Sequence, residues 1–433
     1  MKRLIAVITV LALMLSIGIS FGETEVTVKN YKELVKAVND QKAARILISP
    51  KYKHGTKEVI NLFVEDRNIT IAAQNGESAV IDGRVDIRGE YKESTVTFEN
   101  VSIDASKTSN IGLWIGYGPK VIIDSVHGGD SKTTQGAPGA VVYDAQLIIG
   151  SVTGGDSVNG IAGDGIMVYG KSIVEAGEVK GGNCTNGVGG AGVVTMGGAA
   201  VTVTKDAIGG DGAVNPGQAT LIGSGCTVEV TGDQKDGEKL ESKKAPDPEI
   251  INSYGMLVNA LRNGKKEIRL DRSFKSGALI DCVDIPFYVE GDGKVTILGA
   301  YDDKLQKVDS GFSIHGGEWD ISGLDIQTKM IGLTVNADAH VTFTGNLSNT
   351  TANPVVYLMS GEISVKGNVT GSGNHIVIYM DSGKMTVEGT VTQKNNQQYS
   401  IYVLGGELEV IGKIKARFPY LTEGDGKVTV REQ

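Results

Sequence analysis

The sequence predicts an all-β fold made of two parallel β-solenoids in tandem, and three observations support this prediction. The second half of the chain repeats, because Gly323, Gly345, Gly367, Gly389 and Gly412 are spaced by 22, 22, 22 and 23 residues. Before each glycine, apolar and polar residues alternate as they do in β-strands. Glycine is abundant, with 60 of 433 residues, which suits tight turns between short strands. A repeat of this length without helices is typical of one coil of a parallel β-solenoid.

The first half of the chain has a longer repeat of its own. A Gly-Gly pair followed by Asp130, Asp156, Asn183 or Asp211 recurs at spacings of 26, 27 and 28 residues. Each pair follows a strand pattern and precedes a glycine- and alanine-rich loop and a second apolar strand. We expect the extra residues of each coil to lie in that loop, where insertions are best tolerated.

Each half begins with a short amphipathic segment that predicts a helix. Asn30 is the expected N-cap of the first helix, and Asn252 or Ser253 that of the second. The end of a solenoid exposes an apolar cross-section and unpaired strand edges, which a terminal helix can cover. Two capping helices therefore indicate two solenoids.

The domain boundaries follow from composition. Lys2 and Arg3, an apolar run, and small residues before Glu23 predict a signal peptide at residues 1–22. We expect the first solenoid at residues 23–235, a charged linker with two prolines at 236–248, and the second solenoid at 249–433. The mature protein is then expected to be exported, secreted or attached to the cell surface, without a membrane span, and a monomer.

The charge and the cysteines restrict the partners and the redox chemistry. A net charge of −9 argues against nucleic acid and anionic lipid as partners, and disfavours an acidic polysaccharide unless calcium bridges the like charges. Cys184, Cys226 and Cys282 are odd in number and lack the spacing of metal ligands. We expect buried thiols, with a disulfide between Cys184 and Cys226 as the alternative, because these two lie in nearby coils.

Together, the capping helices, short strands, glycine turns and coils of 22 to 28 residues resemble the right-handed parallel β-helix proteins of the pectate-lyase-like superfamily. The resemblance covers nearly the whole mature chain. It implies a right-handed coil and an extracellular role connected with carbohydrate. The same scaffold carries lyases, hydrolases, adhesins and passive binding modules, so the fold alone does not define an activity.

The enzymes of that superfamily have motifs that this chain lacks or matches only in part. The Asn-Thr-Asp and Gly-His-Gly motifs of polygalacturonase-type hydrolases are absent, and the pair Asp302-Asp303 lies in a charged connection. Arg417 and Pro419 begin the Arg-x-Pro-x-x-Arg segment of calcium-dependent lyases, but Thr422 replaces its second arginine. The sequence therefore predicts no catalytic residue and a non-enzymatic protein. A polysaccharide lyase is the alternative, and a structural spacer or adhesin is a third option.

A column of tyrosines is the candidate ligand-binding site. Tyr357, Tyr379 and Tyr402 each lie four residues before a glycine and between two apolar residues, and Val335 has the same place one coil earlier. Strand alternation predicts that the tyrosines point outward, and stacking at about 4.8 Å would align them in one strip. Such a strip suits the apolar faces of sugars in a polysaccharide or another envelope component. The alternative is that the tyrosines stack only on one another.

A column of acidic residues is the candidate metal site. Asp130, Asp156 and Asp211, with Asn183 among them, would align from coil to coil. Carboxylate oxygens suit calcium, so these residues are the expected ligands if the protein binds a metal. The alternative is that they close turns by hydrogen-bonding to the backbone. We predict that no cofactor is required.

Overall fold

The computed structural model describes most of the chain between Thr24 and Arg431. The predicted signal peptide, Cys282 and the pair Asp302-Asp303 lie outside the described residues. The described residues are 24–39, 43–53, 59–91, 93–108, 110–132, 135–223, 225–242, 249–275, 287–290, 294–300, 304–309, 311–329, 331–336, 338–351, 353–373, 375–395 and 399–431.

The described residues form a parallel β-solenoid of about 15 turns, which confirms the predicted all-β fold. The sheets fall into two sets, one for each half of the chain. Each set has a 13-stranded sheet, called here the large sheet, and a seven-stranded sheet, called here the small sheet. Two tandem solenoids, as predicted, account for this division.

The first solenoid contains helix α1 (Tyr31–Asn39) and twenty strands. They are β1 (Thr24–Asn30), β2 (Ala43–Lys53), β3 (Ile60–Phe63), β4 (Asn68–Ala73), β5 (Ala79–Asp82), β6 (Val85–Arg88), β7 (Thr95–Glu99), β8 (Val101–Asp104), β9 (Leu113–Gly116), β10 (Lys120–His127), β11 (Ala140–Tyr143), β12 (Gln146–Thr153), β13 (Ile166–Tyr169), β14 (Ile173–Lys180), β15 (Val193–Met196), β16 (Ala200–Val203), β17 (Ala207–Ile208), β18 (Thr220–Ile222), β19 (Thr227–Val230) and β20 (Gln234–Lys235).

The second solenoid contains helix α2 (Tyr254–Arg262) and twenty further strands. They are β21 (Ile251–Ser253), β22 (Glu267–Lys275), β23 (Phe287–Glu290), β24 (Lys294–Leu298), β25 (Gln306–Val308), β26 (Phe312–His315), β27 (Glu318–Thr328), β28 (Leu333–Asn336), β29 (His340–Asn349), β30 (Val356–Leu358), β31 (Glu362–Lys366), β32 (Val369–Gly371), β33 (Ile378–Met380), β34 (Lys384–Val387), β35 (Val391–Gln393), β36 (Tyr399–Val403), β37 (Glu407–Ile411), β38 (Ile414–Lys415), β39 (Phe418–Thr422) and β40 (Lys427–Arg431).

The core of each solenoid is a stack of apolar columns inside the coil. On the large sheet of the second solenoid, Val341, Ile363 and Met385 are register partners on β29, β31 and β34. All three are buried, and the residues between them alternate outward. Burying one such side chain contributes about 1.5–3 kcal/mol, so a regular column stabilises every coil by a similar amount.

Both predicted capping helices are present, and both have the predicted N-caps. In α1 the N–H of Glu33 donates to Oδ1 of Asn30 at 3.0 Å, and the Asn30 amide donates to the Glu33 carboxylate at 2.8 Å. In α2 the N–H of Met256 donates to Oγ of Ser253 at 3.4 Å. These bonds satisfy N–H groups at the start of a helix, which have no partner within it. Neither helix in the described part of the chain is long and apolar enough to cross a membrane.

The repeated glycines lie where successive coils meet backbone to backbone. A Cβ placed on Gly367 would lie 1.8 Å from the carbonyl oxygen of Gly345, and one on Gly182 would lie 2.1 Å from that of Gly155. Real Cβ atoms do not approach so closely, so any other residue would force the coils apart. The glycine period therefore reports the stacking itself.

In the first solenoid the glycine-rich loops form an ordered projection of each coil, called here the glycine arm (residues 128–138, 154–164, 181–191 and 209–218). Two columns of glycine face each other in this arm and hydrogen-bond in a zigzag. The N–H of Gly163 donates to Gly155, Gly182 to Gly163, and Gly190 to Gly182, at 2.8 to 2.9 Å. Bridges between Ile161 and Val188 and their neighbours align the distal part of the arm.

Helix α2 packs on the distal part of the glycine arm. Gly255 of the helix lies against Gly160 and Ile161, because a Cβ there would be 3.1 Å from backbone atoms of both. Ile161 and Val188 belong to the same buried apolar cluster as Met256 of α2. The helix thus caps the second solenoid and also joins it to the first.

Polar contacts fix the same junction. The Arg262 guanidinium donates to both carboxylate oxygens of Asp164, at 3.1 and 2.7 Å, and the side chain of Asp164 is only 7% exposed. The amide of Asn215 donates to Oδ1 of Asn259 at 3.0 Å. A two-point bond between Arg and a carboxylate is directional as well as strong, so it sets the orientation of α2 on the arm.

The last coil of the first solenoid continues beyond its predicted end at residue 235. The N–H of Glu238 donates to Oδ1 of Asp211 at 2.7 Å, and the N–H of Leu240 to the carbonyl of Gly212 at 3.1 Å. Ser242 donates to the side chain of Asn186 at 2.6 Å. Residues 236–242, which composition predicts as linker, therefore pair with the coil below, and residues 243–248 lie outside the described part.

Candidate ligand-binding surface

The predicted tyrosine column is confirmed. Tyr357, Tyr379 and Tyr402 are register partners on strands β30, β33 and β36 of the small sheet of the second solenoid. Their ring centroids are 5.2 and 5.3 Å apart, with interplanar angles of 90° and 45°. The flanking residues Val356 and Leu358 are fully buried, so alternation turns the tyrosines outward as predicted. We call these three residues the tyrosine strip.

The residue before the tyrosine strip is Thr334, and the prediction of Val335 was wrong. Thr334 is the register partner of Tyr357, whereas Val335 pairs with Leu358 and points into the core. The turn after β28 holds one residue more than the turn after β30, so counting back from the turn selects a neighbouring residue. The strip is also half-buried, where a fully exposed surface was expected.

Carboxylates hold the tyrosine hydroxyl groups. Oη of Tyr357 donates to Oδ2 of Asp381 at 2.6 Å. Burial, the bond to Asp381 and its charge raise the pKa of Tyr357. A hydrogen bond to Glu423 raises the pKa of Tyr402. The strip is therefore uncharged near neutral pH and is bordered by negative charge.

A second aromatic cluster lies on the small sheet of the first solenoid. The ring of Tyr117 lies 5.7 Å from that of Tyr91, 5.8 Å from Trp114 and 5.6 Å from Tyr143. We call these four residues the aromatic cluster. The sequence argument missed it because Tyr91 and Tyr117 lie in turns with positive φ, outside the regular strand pattern. A usable signal was the repetition of Tyr143 and Tyr169 at equivalent strand ends.

Trp114 occupies a built position on the outer face of this sheet. The ring lies over Gly116, where a Cβ would be 2.3 Å from it, and the Arg88 guanidinium lies 4.8 Å from the ring centroid. That geometry is favourable for a cation–π contact. Beside it, Arg84 and Asp86 form a buried ion pair with a shortest distance of 2.6 Å.

The two aromatic surfaces lie near each other. The phenol of Tyr143 is close enough to that of Tyr357 to contribute to the raised pKa of Tyr357. Ser313 and Thr334 precede the strip in its outward column, yet they are only 5% and 7% exposed. Outward polar residues are buried only when something covers them, so the strip emerges where the two solenoids lie side by side.

The acidic column forms a hydrogen-bond ladder between coils. The N–H of Asp156 donates to Oδ1 of Asp130 at 2.8 Å, that of Asn183 to Asp156 at 2.7 Å, and that of Asp211 to Asn183 at 2.9 Å. One side-chain oxygen of each residue thus binds the next coil. Within the described ranges, no group of three or more His, Cys, Asp or Glu side chains has a metal-binding arrangement. Calcium binding by Asp130, Asp156 and Asp211 stays a hypothesis.

The other sequence candidates are far from a shared centre. Cys184 and Cys226 form no disulfide, because Sγ of Cys184 donates to the carbonyl of Gly160 while Sγ of Cys226 accepts the N–H of Gly198. The guanidinium of Arg417 lies 5.2 Å from the ring of Phe418, on the final coil. The partial lyase motif therefore corresponds to a local stacking contact.

Comparison of the chain with protein-family models, with curated proteins and with solved structures finds no significant match. The functional argument therefore depends on the geometry of the tyrosine strip and its surroundings.

Proposed function

We propose that this is an exported, non-enzymatic β-helix protein that binds polysaccharide, or another carbohydrate-bearing component of the cell envelope, through the tyrosine strip. The observation that carries the proposal is the continuous outward stack of Tyr357, Tyr379 and Tyr402, with centroid spacings of 5.2 and 5.3 Å. Aromatic faces stack on the C–H faces of sugars, and the phenol and carboxylate oxygens can hydrogen-bond sugar hydroxyls. A rigid row of such groups suits an extended polymer.

Two features of the sequence support an extracytoplasmic location. The basic and apolar N-terminal segment is typical of a signal peptide. The coil length and capping helices resemble the pectate-lyase-like superfamily, whose members act on or bind carbohydrate outside the cell. Export would place the strip in contact with polymers of a cell wall or matrix.

Affinity electrophoresis through gels containing polysaccharide tests the proposal. We expect wild-type protein to be retarded by at least one polymer of a panel, and Tyr379→Ala to lose most of that retardation. Tyr379→Phe keeps the ring, so its affinity should stay within about threefold of wild type. Tyr420→Ala is the matched control, because Tyr420 is an exposed tyrosine of the same sheet that lies outside the strip.

Equal retardation of wild type and Tyr379→Ala by every polymer would remove the tyrosine strip as the binding site. Release of unsaturated uronate from an acidic polymer, followed by ultraviolet absorbance with and without calcium, would replace the proposal with a lyase. Binding to no polymer would leave a spacer as the better interpretation.

A further inference from the structure

We propose that the binding surface is a composite cleft between the two solenoids and that it selects polysaccharides without negative charge. Tyr117 and Tyr143 line one side of this cleft, and Tyr357 and Tyr379 line the other. The inference rests on the proposed function and adds to it the contribution of the first solenoid and the chemical class of the ligand. Its first support is the junction described above, in which α2 packs on the glycine arm and holds the second solenoid alongside the first.

Burial on both facing sheets marks the closed end of the cleft. Trp114 and Val141 point away from the core of the first solenoid and form a separate apolar cluster, yet they are 6% and 2% exposed. Ser313 and Thr334 are covered in the same way on the second solenoid. Beyond them the column continues as the half-buried tyrosine strip. Aromatic rings of the two solenoids thus meet at Tyr143 and Tyr357.

Carboxylates line the cleft on both sides. Asp144 follows Tyr143 directly, and its charge raises the pKa values of Tyr91 and Tyr143, the latter to about 12 together with burial. Asp381 accepts the hydroxyl of Tyr357, and Glu423 borders Tyr379 and Tyr402.

The nearby cation Arg88 lies over Trp114 and 3.7 Å from Asp86, so its charge is offset. A polymer of uronate or sulfate groups would meet like charge along this surface, whereas uncharged sugars would find stacking faces and hydrogen-bond acceptors.

The first test asks whether the first solenoid contributes to binding. We expect Tyr143→Ala to weaken retention of the best-bound uncharged polysaccharide about fivefold or more, since it removes a stacking ring from the cleft. Ile173→Ala is the matched control, because Ile173 is 54% exposed on the large sheet of the same solenoid. Circular dichroism and thermal melting of each variant verify that it is folded.

The second test asks whether carboxylates set the selectivity, and it uses variants that keep the fold. Oδ1 of Asp144 accepts the N–H of Lys171 at 2.8 Å, and Asp144 has φ of 46°. Asparagine supplies the same acceptor and tolerates this backbone conformation. We expect wild type to bind hydroxyethyl cellulose at least about tenfold more tightly than polygalacturonate, and the double variant Asp144→Asn and Asp381→Asn to lower that ratio about threefold.

The outcomes separate the two proposals. If wild type binds no polysaccharide, both fail. If Tyr379→Ala abolishes binding while Tyr143→Ala does not change it, the surface belongs to the second solenoid alone and the composite cleft is wrong. If polygalacturonate binds wild type as well as hydroxyethyl cellulose does, or the double variant leaves the ratio unchanged, the selectivity is wrong and the strip remains the site.

Discussion

At the scale of a single residue, Gly182 illustrates what the repeat requires. A Cβ on this residue would lie 2.1 Å from the carbonyl oxygen of Gly155 in the coil below. Its N–H also donates to Gly163 at 2.8 Å, so the backbone is held from two sides. Because the obstruction is backbone and not a flexible side chain, the coil cannot relax around an added methyl group without losing hydrogen bonds.

We predict that Gly182→Ala lowers the free energy of unfolding by about 3 kcal/mol, a cost typical of overpacking at a rigid site. Urea denaturation followed by circular dichroism measures this change. Gly225→Ala is the control, because no atom lies within 4 Å of the added Cβ. Its φ of 72° leaves only the cost of a left-handed conformation, about 1 kcal/mol. Similar losses in the two variants would show that backbone stacking does not explain the glycine repeat.

At the scale of the structural element, the acidic column shows how neighbouring coils are joined outside the strands. Each side-chain oxygen accepts an N–H from the next coil, at 2.7 to 2.9 Å. The Asp and Asn residues therefore replace a ladder bond where the chain leaves the sheet. This explains why Asn183 can stand in a row of aspartates, since its amide oxygen accepts the same bond.

We predict that Asp156→Ala destabilises the protein by about 1 kcal/mol and that Asp156→Asn costs much less, because asparagine keeps the accepting oxygen. Thermal melting of both variants, with and without calcium, is the measurement. A calcium site would behave differently. Calcium would raise the melting temperature of wild type, and Asp156→Asn would lose that increase as fully as Asp156→Ala.

The elements were predictable where one local signal determines them. The two N-caps, the coil period and the tyrosine strip follow from hydrogen-bonding residues and from alternation, and the structure confirms them. Val335 was misplaced because one extra residue in a turn shifts the count, although strand pairing is unaffected. The aromatic cluster was missed because Tyr91 and Tyr117 lie in turns, where no periodicity connects them to Tyr143.

At the scale of the whole molecule, the arrangement of the two solenoids depends on contacts that no repeat announces. Arg262 binds Asp164 across 98 positions of the chain, and Asn259 binds Asn215 across 44. Each of these residues also reads as an ordinary cap or turn residue in its own segment. The sequence therefore predicts two rods and where each begins, but it does not predict that α2 packs on the glycine arm or that two aromatic surfaces meet.

The most direct test is a crystal structure of the protein with a hexasaccharide of the uncharged polymer that it binds best. We predict that one sugar ring stacks on Tyr379 at about 4 Å and that the chain also contacts Tyr143 of the first solenoid. An oligosaccharide bound elsewhere, with the three tyrosines in contact only with protein, would contradict the assignment of the tyrosine strip as the binding site.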